Sequence, residues 1–362
     1  MALLILQGEF VKATPKAILS GGGSKVINGV GVVQGKPIIH KVEPLKCPSR
    51  YVRVQTKYSV ASVGTELAMI QRSANSADDK EVVRLGYSSA GVVIESGSNA
   101  DYEVGERVAV YGAPYVWHGE ELVVPRTLVA RISEDVPYAD AATVGHGAIA
   151  IHALRSANVQ FGEHIVVIGL GLIGLLIAKL ARAAGCFVIA SEPDETRRSY
   201  VDRDGIQAVH PATLEDDVAR ATGRHGADSV FIAVGTANSN LLNLAVGLCR
   251  LRGTVSVVSG AEACLPRNEM FQREVRLIVP QAGGPGRYQT DYEKEARDYP
   301  YSEVRWTEGR NMQLYMDLLG RRYVSLEGLL PNAIPLAEAP EGYKRLQGET
   351  GAKPLTMVIS YT

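Results

Sequence analysis

The chain has little cysteine to build with. Cys47, Cys186, Cys249 and Cys264 lie far apart and form no C-x-x-C pair. Neither a disulfide framework nor a cysteine zinc site is suggested, and all four read as small, partly buried residues. Charge of one sign is not in excess either. The 38 basic and 39 acidic residues leave a formal net charge of -1, which argues against nucleic acid as a main partner and against an electrostatic membrane anchor. No apolar run approaches the length of a membrane span. The apolar opening from Met1 to Leu6 is too short for a signal h-region and lacks a basic n-region and a cleavage site. A cytoplasmic protein is expected. The 46% hydrophobic and 21% charged content is ordinary for a globular protein, and 362 residues exceed one ordinary domain.

What is present is organised around the stretch from His164 to Glu192. Ile165 to Ile168 is a continuous apolar, β-branched run, suited to a strand buried on both faces of a parallel sheet. Gly169, Gly171 and Gly174 follow in the spacing G-x-G-x-x-G, with Leu172 and Ile173 opening a helix that runs to Ala184. The first glycine permits a tight turn, the second lets backbone approach a pyrophosphate, and the third lets helix and strand pack closely. The N-H groups at Leu172 and Ile173 face the phosphates together with the positive end of the helix dipole. A second buried strand, Phe187 to Ala190, delivers Glu192. That carboxylate is placed to accept hydrogen bonds from a ribose diol and to repel a 2′-phosphate, which favours NAD over NADP. Arg197 is counted with the cofactor residues. Arginines at 197 and 198 would accommodate a 2′-phosphate if they faced the ribose, and otherwise are solvated residues of the next helix.

From the start to about Ala150 the sequence reads as all-β, a partly open barrel. Its runs are Lys25 to Val33, Pro37 to Val42, Val52 to Tyr58, Ala90 to Ser96, Arg107 to Val110, Glu121 to Val124 and Leu128 to Ile132. Ser20 to Ser24 is a flexible loop. Helical character over Ala139 to Ala157 marks the transition to regular strand and helix alternation, with helices at Thr196 to Arg203, Leu214 to Ala221 and Asn238 to Leu248. Strands at Gln207 to Val209, Asp228 to Val234, Gly253 to Val258 and Val275 to Val279 bring the sheet to about six parallel strands, a doubly wound α/β fold. Gln281 to Arg310 reads as a long loop whose Arg287, Tyr288, Arg305 and Trp306 suit a hydroxylated or anionic substrate, or a subunit contact. A helix from Met312 to Leu319, a strand over Leu329 to Pro335, a helix near Pro340 to Leu346 and a strand at Pro354 to Ile359 return to the first domain. The expected division is a β domain at 1-150 completed by 284-362, and a dinucleotide-binding domain at 151-283.

A β domain, a G-L-G-L-I-G nucleotide domain and a return to the first domain resemble the medium-chain dehydrogenase/reductase superfamily over essentially the whole chain. The resemblance implies a GroES-like catalytic barrel beside a Rossmann domain, a nicotinamide cofactor, and a homodimer or homotetramer. Zinc-bearing members carry Cys-Gly-Ser/Thr-Asp and Gly-His-Glu segments. Here these are V-G-T-E, with Val63 at the cysteine, and G-Y-S-S, with Tyr87 and Ser88 at the histidine and glutamate. Gly145 occupies the third ligand's place with His146 beside it. None of Val, Tyr and Gly offers a thiolate, imidazole or carboxylate, so no catalytic zinc is expected. No cysteine-rich structural zinc lobe is expected either. The V-G-T-E segment and the tract Gly284 to Asn311 resemble a zinc-free branch found beside polysaccharide and cyclitol genes and near the bacteriochlorophyllide hydroxyethyl dehydrogenases.

The resemblance makes Thr65 the hydroxyl that relays the alcohol proton, with Tyr87 and His146 as further proton-handling residues and Ser88, Arg287, Tyr288 and Trp306 against the substrate. Each has a structural alternative: a turn cap for Thr65, cavity filling for Tyr87 and Ser88, a helix-start hydrogen bond for His146, and subunit packing for the loop. Glu66 is expected to orient its neighbours. The expected activity is hydride transfer between a secondary alcohol or ketone of sugar, polyol or cyclitol type and NAD. Three rivals stand beside it: an enoyl-type reductase, a redox-neutral epimerase or lyase with tightly bound NAD, and a nucleotide sensor without turnover.

Overall fold

The computed structural model describes residues 26-76, 81-349 and 353-361. The expectations for Met1 to Leu6, Ser20 to Ser24 and Lys25 lie outside the described residues. The described chain divides into two compact units: 146-284 with Arg321–Gly328, and a second made of residues up to Gly145, Pro285–Gly320 and the residues from Leu329 onward.

The first unit holds six parallel strands. Their spatial order is Gln207–Val209, Phe187–Ser191, His164–Ile168, Ala227–Ile232, Cys249–Val257 and Arg276–Ile278. Chain order therefore reverses at His164–Ile168, and a crevice opens beyond the carboxyl ends of the strands at such a reversal. The register puts Ile168 level with Ser191 on one side and with Ile232 on the other. The turn at Gly169 thus emerges beside Glu192 and Ala233. Val166, Val230 and Val255 are fully buried, and they pack with Leu242, Val246 and Leu248 of the helix Ser239–Leu248. Arg321–Gly328, expected in the barrel, packs with this unit and buries Val324 and Leu326.

The second unit is a barrel-like assembly, antiparallel except where Ile334–Pro335 runs parallel to Val358–Ser360. Its larger sheet runs Ile334–Pro335, Val358–Ser360, Tyr51–Val60, Ser88–Ser96, Arg107–Tyr111 and Val129–Arg131, with Glu121–Pro125 also on Tyr51–Val60. A smaller sheet joins Lys36–Val42, Ile27–Val33 and Val83–Arg84. Tyr51–Val60 is the hub. Val358–Ser360 pairs with its far end, setting Val358 opposite Val60.

The first 150 residues are not all-β. A twelve-residue helix, Val63–Ala74, follows directly on the hub strand. Ser62 is its N-cap, and Glu66 reaches back to accept the Ser62 N-H at 2.7 Å, satisfying a donor that a helix start otherwise leaves open. Glu66, Ile70 and Ser73 recur along its buried face at helical spacing. The expected helix over Ala139 to Ala157 is two, Tyr138–Ala141 and Val144–Ser156. The Leu329 to Pro335 run forms strand only at Ile334–Pro335. A helix at Arg267–Arg273 carries no clear apolar period and was not anticipated.

Candidate functional site

In the first unit the three glycines are required for three different reasons. Gly169 has φ of +96°, a conformation that side chains disfavour. A Cβ at Gly174 would stand 1.9 Å from the Gly169 carbonyl oxygen, so helix and turn touch there backbone to backbone. A Cβ at Gly171 would meet nothing within 4 Å, and its φ is an ordinary -67°. Packing does not explain that glycine; close approach of a ligand would. Gly171 is also the N-cap of the helix Leu172–Ala183, and no side chain caps that start. Its free N-H groups and dipole end make an anion site at Leu172 and Ile173.

Glu192 is buried at the end of Phe187–Ser191. Its Oε2 accepts the Leu170 N-H at 2.8 Å, and Oε1 accepts the Asp194 N-H at 3.2 Å. The carboxylate therefore ties the glycine turn to the second strand and keeps spare lone pairs for a diol. Arg197 donates its backbone N-H to the Asp194 carboxylate, which caps the short helix Glu195–Ser199. Arg198 turns its guanidinium onto the carbonyls of Glu192 and Pro193.

In the second unit Thr65, Tyr87 and Ser62 come together. Tyr87 donates its phenol proton to Ser62 Oγ at 2.7 Å, with the exposed Thr65 hydroxyl as a further hydrogen-bonding neighbour. Desolvation first, then the Glu66 and Tyr288 neighbourhood, raises the Tyr87 pKa well above the ordinary phenol value, although Ser62 and Thr65 oppose the shift. Tyr87 is thus a neutral hydrogen-bond donor at neutral pH. Its ring meets Tyr111 edge-on, with centroids 5.5 Å apart.

Ser88, one residue on, does not face a ligand. It is fully buried, donates to Ala142 O at 2.7 Å and accepts from Gly145 N at 2.9 Å. Both hydrogen-bonding directions hold the strand to the start of Val144–Ser156, so the substrate contact expected of Ser88 gives way to a structural one. Gly145 itself has no room for a side chain, because a Cβ would lie 2.5 Å from Tyr111 Cδ2. His146 is buried as the third residue of that helix.

Arg287 is also turned inward. Its guanidinium donates to Glu293 Oε1 at 2.6 Å and to Ala113 O at 2.8 Å, and Tyr288 covers its plane at 4.3 Å. A buried ion pair of this kind fixes the loop and commits both terminal nitrogens of the guanidinium to protein partners, so the substrate clamp expected of Arg287 gives way to a structural contact. Tyr288 is half exposed and stays available, held by its N-H on Glu293. Trp306 stacks under Arg305 at 3.6 Å, and Arg305 also lies over Tyr301 at 4.4 Å. This aromatic and guanidinium stack belongs to the loop.

Residues the sequence did not single out complete the picture. Glu308 is fully buried, and burial pushes its carboxyl up to about 8 against the opposing effect of Arg287. His118, 52 positions from Glu66, lies 3.1 Å from Glu66 Oε2 and 2.7 Å from Ser59 Oγ. Tyr343 and Tyr361 join the same buried cluster. No local pattern could have found these partners, because each comes from a different part of the chain. Among the described residues, no helix is long and apolar enough to cross a membrane.

The chain matches a family model described as zinc-binding dehydrogenase over residues 173–297. D-guloside 3-dehydrogenase of Escherichia coli is 26% identical over 295 residues, spanning 77% of both chains. The 2-dehydro-3-deoxy-L-galactonate 5-dehydrogenase of Pseudoalteromonas atlantica is 23% identical over 300 residues, 73% of this chain and 79% of its own. Among solved structures, 2R,3R-butanediol dehydrogenase from Bacillus subtilis superposes with a TM-score of 0.73 at 20% identity, over 93% of this chain and 100% of that one. With the parallel sheet, its glycine turn and the barrel described above, the chain is similar to these dehydrogenases in sequence and shares their fold, a GroES-like barrel and a Rossmann domain.

Proposed function

We propose that the protein is a zinc-independent dehydrogenase that prefers NAD and moves a hydride between nicotinamide and a secondary alcohol or ketone of sugar, polyol or cyclitol type. The observation that carries this reading is the hydroxyl cluster of Ser62, Thr65 and Tyr87, in which Tyr87 stands where the resemblance puts a metal-ligating histidine and Thr65 where it puts the relaying hydroxyl. The residues present do not fit a zinc. Val63 and Gly145 supply no donor atom, a ligand-bearing side chain at 145 would collide with Tyr111, and the Tyr87 phenol is a neutral donor engaged with Ser62.

A nicotinamide dinucleotide does fit the first unit. Its pyrophosphate would lie against Gly171 and the N-H groups of Leu172 and Ile173, and its adenine-side ribose against Glu192. The cofactor supplies the hydride acceptor or donor. The chain's own residues handle the proton and the charge: Tyr87 and Thr65 present hydroxyls to the substrate oxygen and stabilise charge as it builds there. The sugar or polyol class is supported by the sugar substrates in the names of the two relatives above.

The test is to quantify nucleotide released from freshly purified, denatured protein, and then to follow NAD reduction and NADP reduction with a panel of polyols and cyclitols. Little retained nucleotide with NAD-dependent turnover supports the reading. Near-stoichiometric retained NAD with no net reduction overturns it in favour of a redox-neutral epimerase or lyase.

A further inference from the structure

A run of proton-bearing side chains lies in the second unit next to the Tyr87 and Ser62 pair, joined to it through the backbone N-H of Ser62. Glu66, His118, Ser59 and Tyr343 are fully buried, and Tyr361 is half-buried. Glu66 Oε1 accepts the Ser62 N-H at 2.7 Å, while Oε2 faces His118 Nε2 at 3.1 Å and accepts the Tyr343 hydroxyl. His118 Nδ1 is 2.7 Å from Ser59 Oγ, which is 2.8 Å from the Tyr361 hydroxyl. The half-buried carboxylate of Glu120 acts electrostatically on that last phenol.

Burying an acid, an imidazole and three hydroxyls costs desolvation that a packed apolar core would avoid, and every member here is hydrogen-bonded. The backbone is adapted to the ring as well. Gly86 has φ of +95°, and a Cβ there would stand 2.6 Å from His118 Cγ, so glycine leaves the space the imidazole occupies. Histidine is the side chain that takes a proton at one nitrogen and releases another from the opposite one. Its two nitrogens here face an acid on the side of the Tyr87 cluster and a hydroxyl on the side of Tyr361.

We propose that Glu66, His118, Ser59 and Tyr361 form a proton conduit that carries the alcohol proton from the Tyr87 and Ser62 hydroxyls to solvent, taking the place of a metal-dependent route. This rests on the alcohol oxidation proposed above. In that reaction the carbinol C-H bond breaks and its electron pair leaves as hydride to nicotinamide, while the O-H bond breaks and the carbonyl forms. In one concerted step the alcohol proton passes to the Tyr87 oxygen, the phenol proton to Ser62 Oγ and the Ser62 hydroxyl proton to Glu66, so no oxonium forms. The Glu66 carboxylate is the acceptor that the backbone N-H of the same serine already holds. Glu66 delivers a proton to His118 Nε2, Nδ1 releases one to Ser59, and Ser59 and Tyr361 each pass one outward. Each member ends with the charge it began with. The raised phenol pKa values of Tyr87 and Tyr361, caused first by burial, suit concerted passage through neutral hydroxyls. These residues act through Tyr87 and touch no reacting atom.

The conduit is tested on the intact protein without substrate. With 15N-labelled histidine, the exchange of the His118 ring proton with water is measured by NMR, its signal assigned with His118→Gln. Tyr361→Phe and Ser59→Ala should each slow that exchange about tenfold or more, because the outward path is cut while the ring stays buried. Exchange as fast as in the native protein, or faster, in both variants overturns the conduit whatever the reaction proves to be. Where a secondary alcohol is oxidised, Tyr361→Phe should lower kcat about tenfold with KM unchanged, and raising the imidazole buffer concentration should restore the rate, a rescue that a merely structural role would not produce. If the native protein oxidises no secondary alcohol, the proposed function fails, and the exchange measurement still decides the conduit.

Discussion

The Glu192 carboxylate holds the Leu170 N-H at 2.8 Å, so the acid at the end of the second strand is also the strut of the glycine turn. Replacing it should show in the nucleotide and in the fold together. Glu192→Ala leaves the buried Leu170 N-H unsatisfied, at a cost of about 1-3 kcal/mol, and removes the acceptor for the ribose diol. NADH affinity should fall about tenfold and the preference over NADPH should shrink, read by fluorescence titration with both. An unchanged NADH to NADPH ratio would sink the ribose assignment.

Gly171 and Gly174 should part company on substitution by alanine. A Cβ at 174 would press on the Gly169 carbonyl from 1.9 Å, and overpacking of this sort costs about 1-3 kcal/mol or more. Gly174→Ala should lower Tm clearly. Gly171→Ala, with open space and an ordinary φ, should leave Tm nearly unchanged while nucleotide affinity drops about tenfold, or ~1.4 kcal/mol. Calorimetric melting beside nucleotide titration separates the two.

Tyr87→Phe removes the donor to Ser62 and keeps the ring against Tyr111. The lost hydrogen bond is worth about 1 kcal/mol of stability. Loss of proton handling should reduce kcat about a hundredfold or more. Steady-state kinetics with the substrate found by screening decides it, and a native rate would remove Tyr87 from the chemistry.

Glu308 sets a pH dependence of stability. Burial raises its folded-state pKa to about 8, against ~4.3 in an unfolded chain. Between those values the folded protein holds a proton that the unfolded chain has released, so stability falls as pH rises. The contribution is complete below the unfolded value and lost as pH rises through about 8. The slope from this one group approaches ~1.4 kcal/mol per pH unit. Arg287, Glu293, Tyr111 and Tyr292 are the charged and titratable groups that surround it. Urea unfolding across this range should show the decline in the native protein and a flatter profile in Glu308→Gln.

The nucleotide half of the fold was legible because its signals are local. Strand, glycines, helix and acid follow one another within the reach of a single βαβ unit, and their physics depends on neighbours in sequence. The helix Val63–Ala74 was missed because V-G-T-E was read through its metal-ligand positions, whereas its start is secured by Glu66 folding back on Ser62. Ser88 and Arg287 were placed by type and position toward a substrate. Their partners, Ala142 and Gly145 for the one and Glu293 and Ala113 for the other, become visible only in three dimensions. His118 carried no local mark at all, since its meaning lies in Glu66 and Ser59.

The pairing of Val358–Ser360 with Tyr51–Val60 has a consequence for how the protein is made. On a ribosome the hub strand emerges early, and the strand that covers its far edge, with the Tyr361 hydroxyl that meets Ser59, follows 302 positions later. The sheet of the first unit, drawn almost wholly from 146-284, is available as a folding unit in the interval, as domains generally fold as units during synthesis. The barrel must wait with an unpaired edge, the kind of surface that recruits other chains. A hub strand that is made early and covered last is therefore a point at which folding during synthesis competes with pairing to other chains.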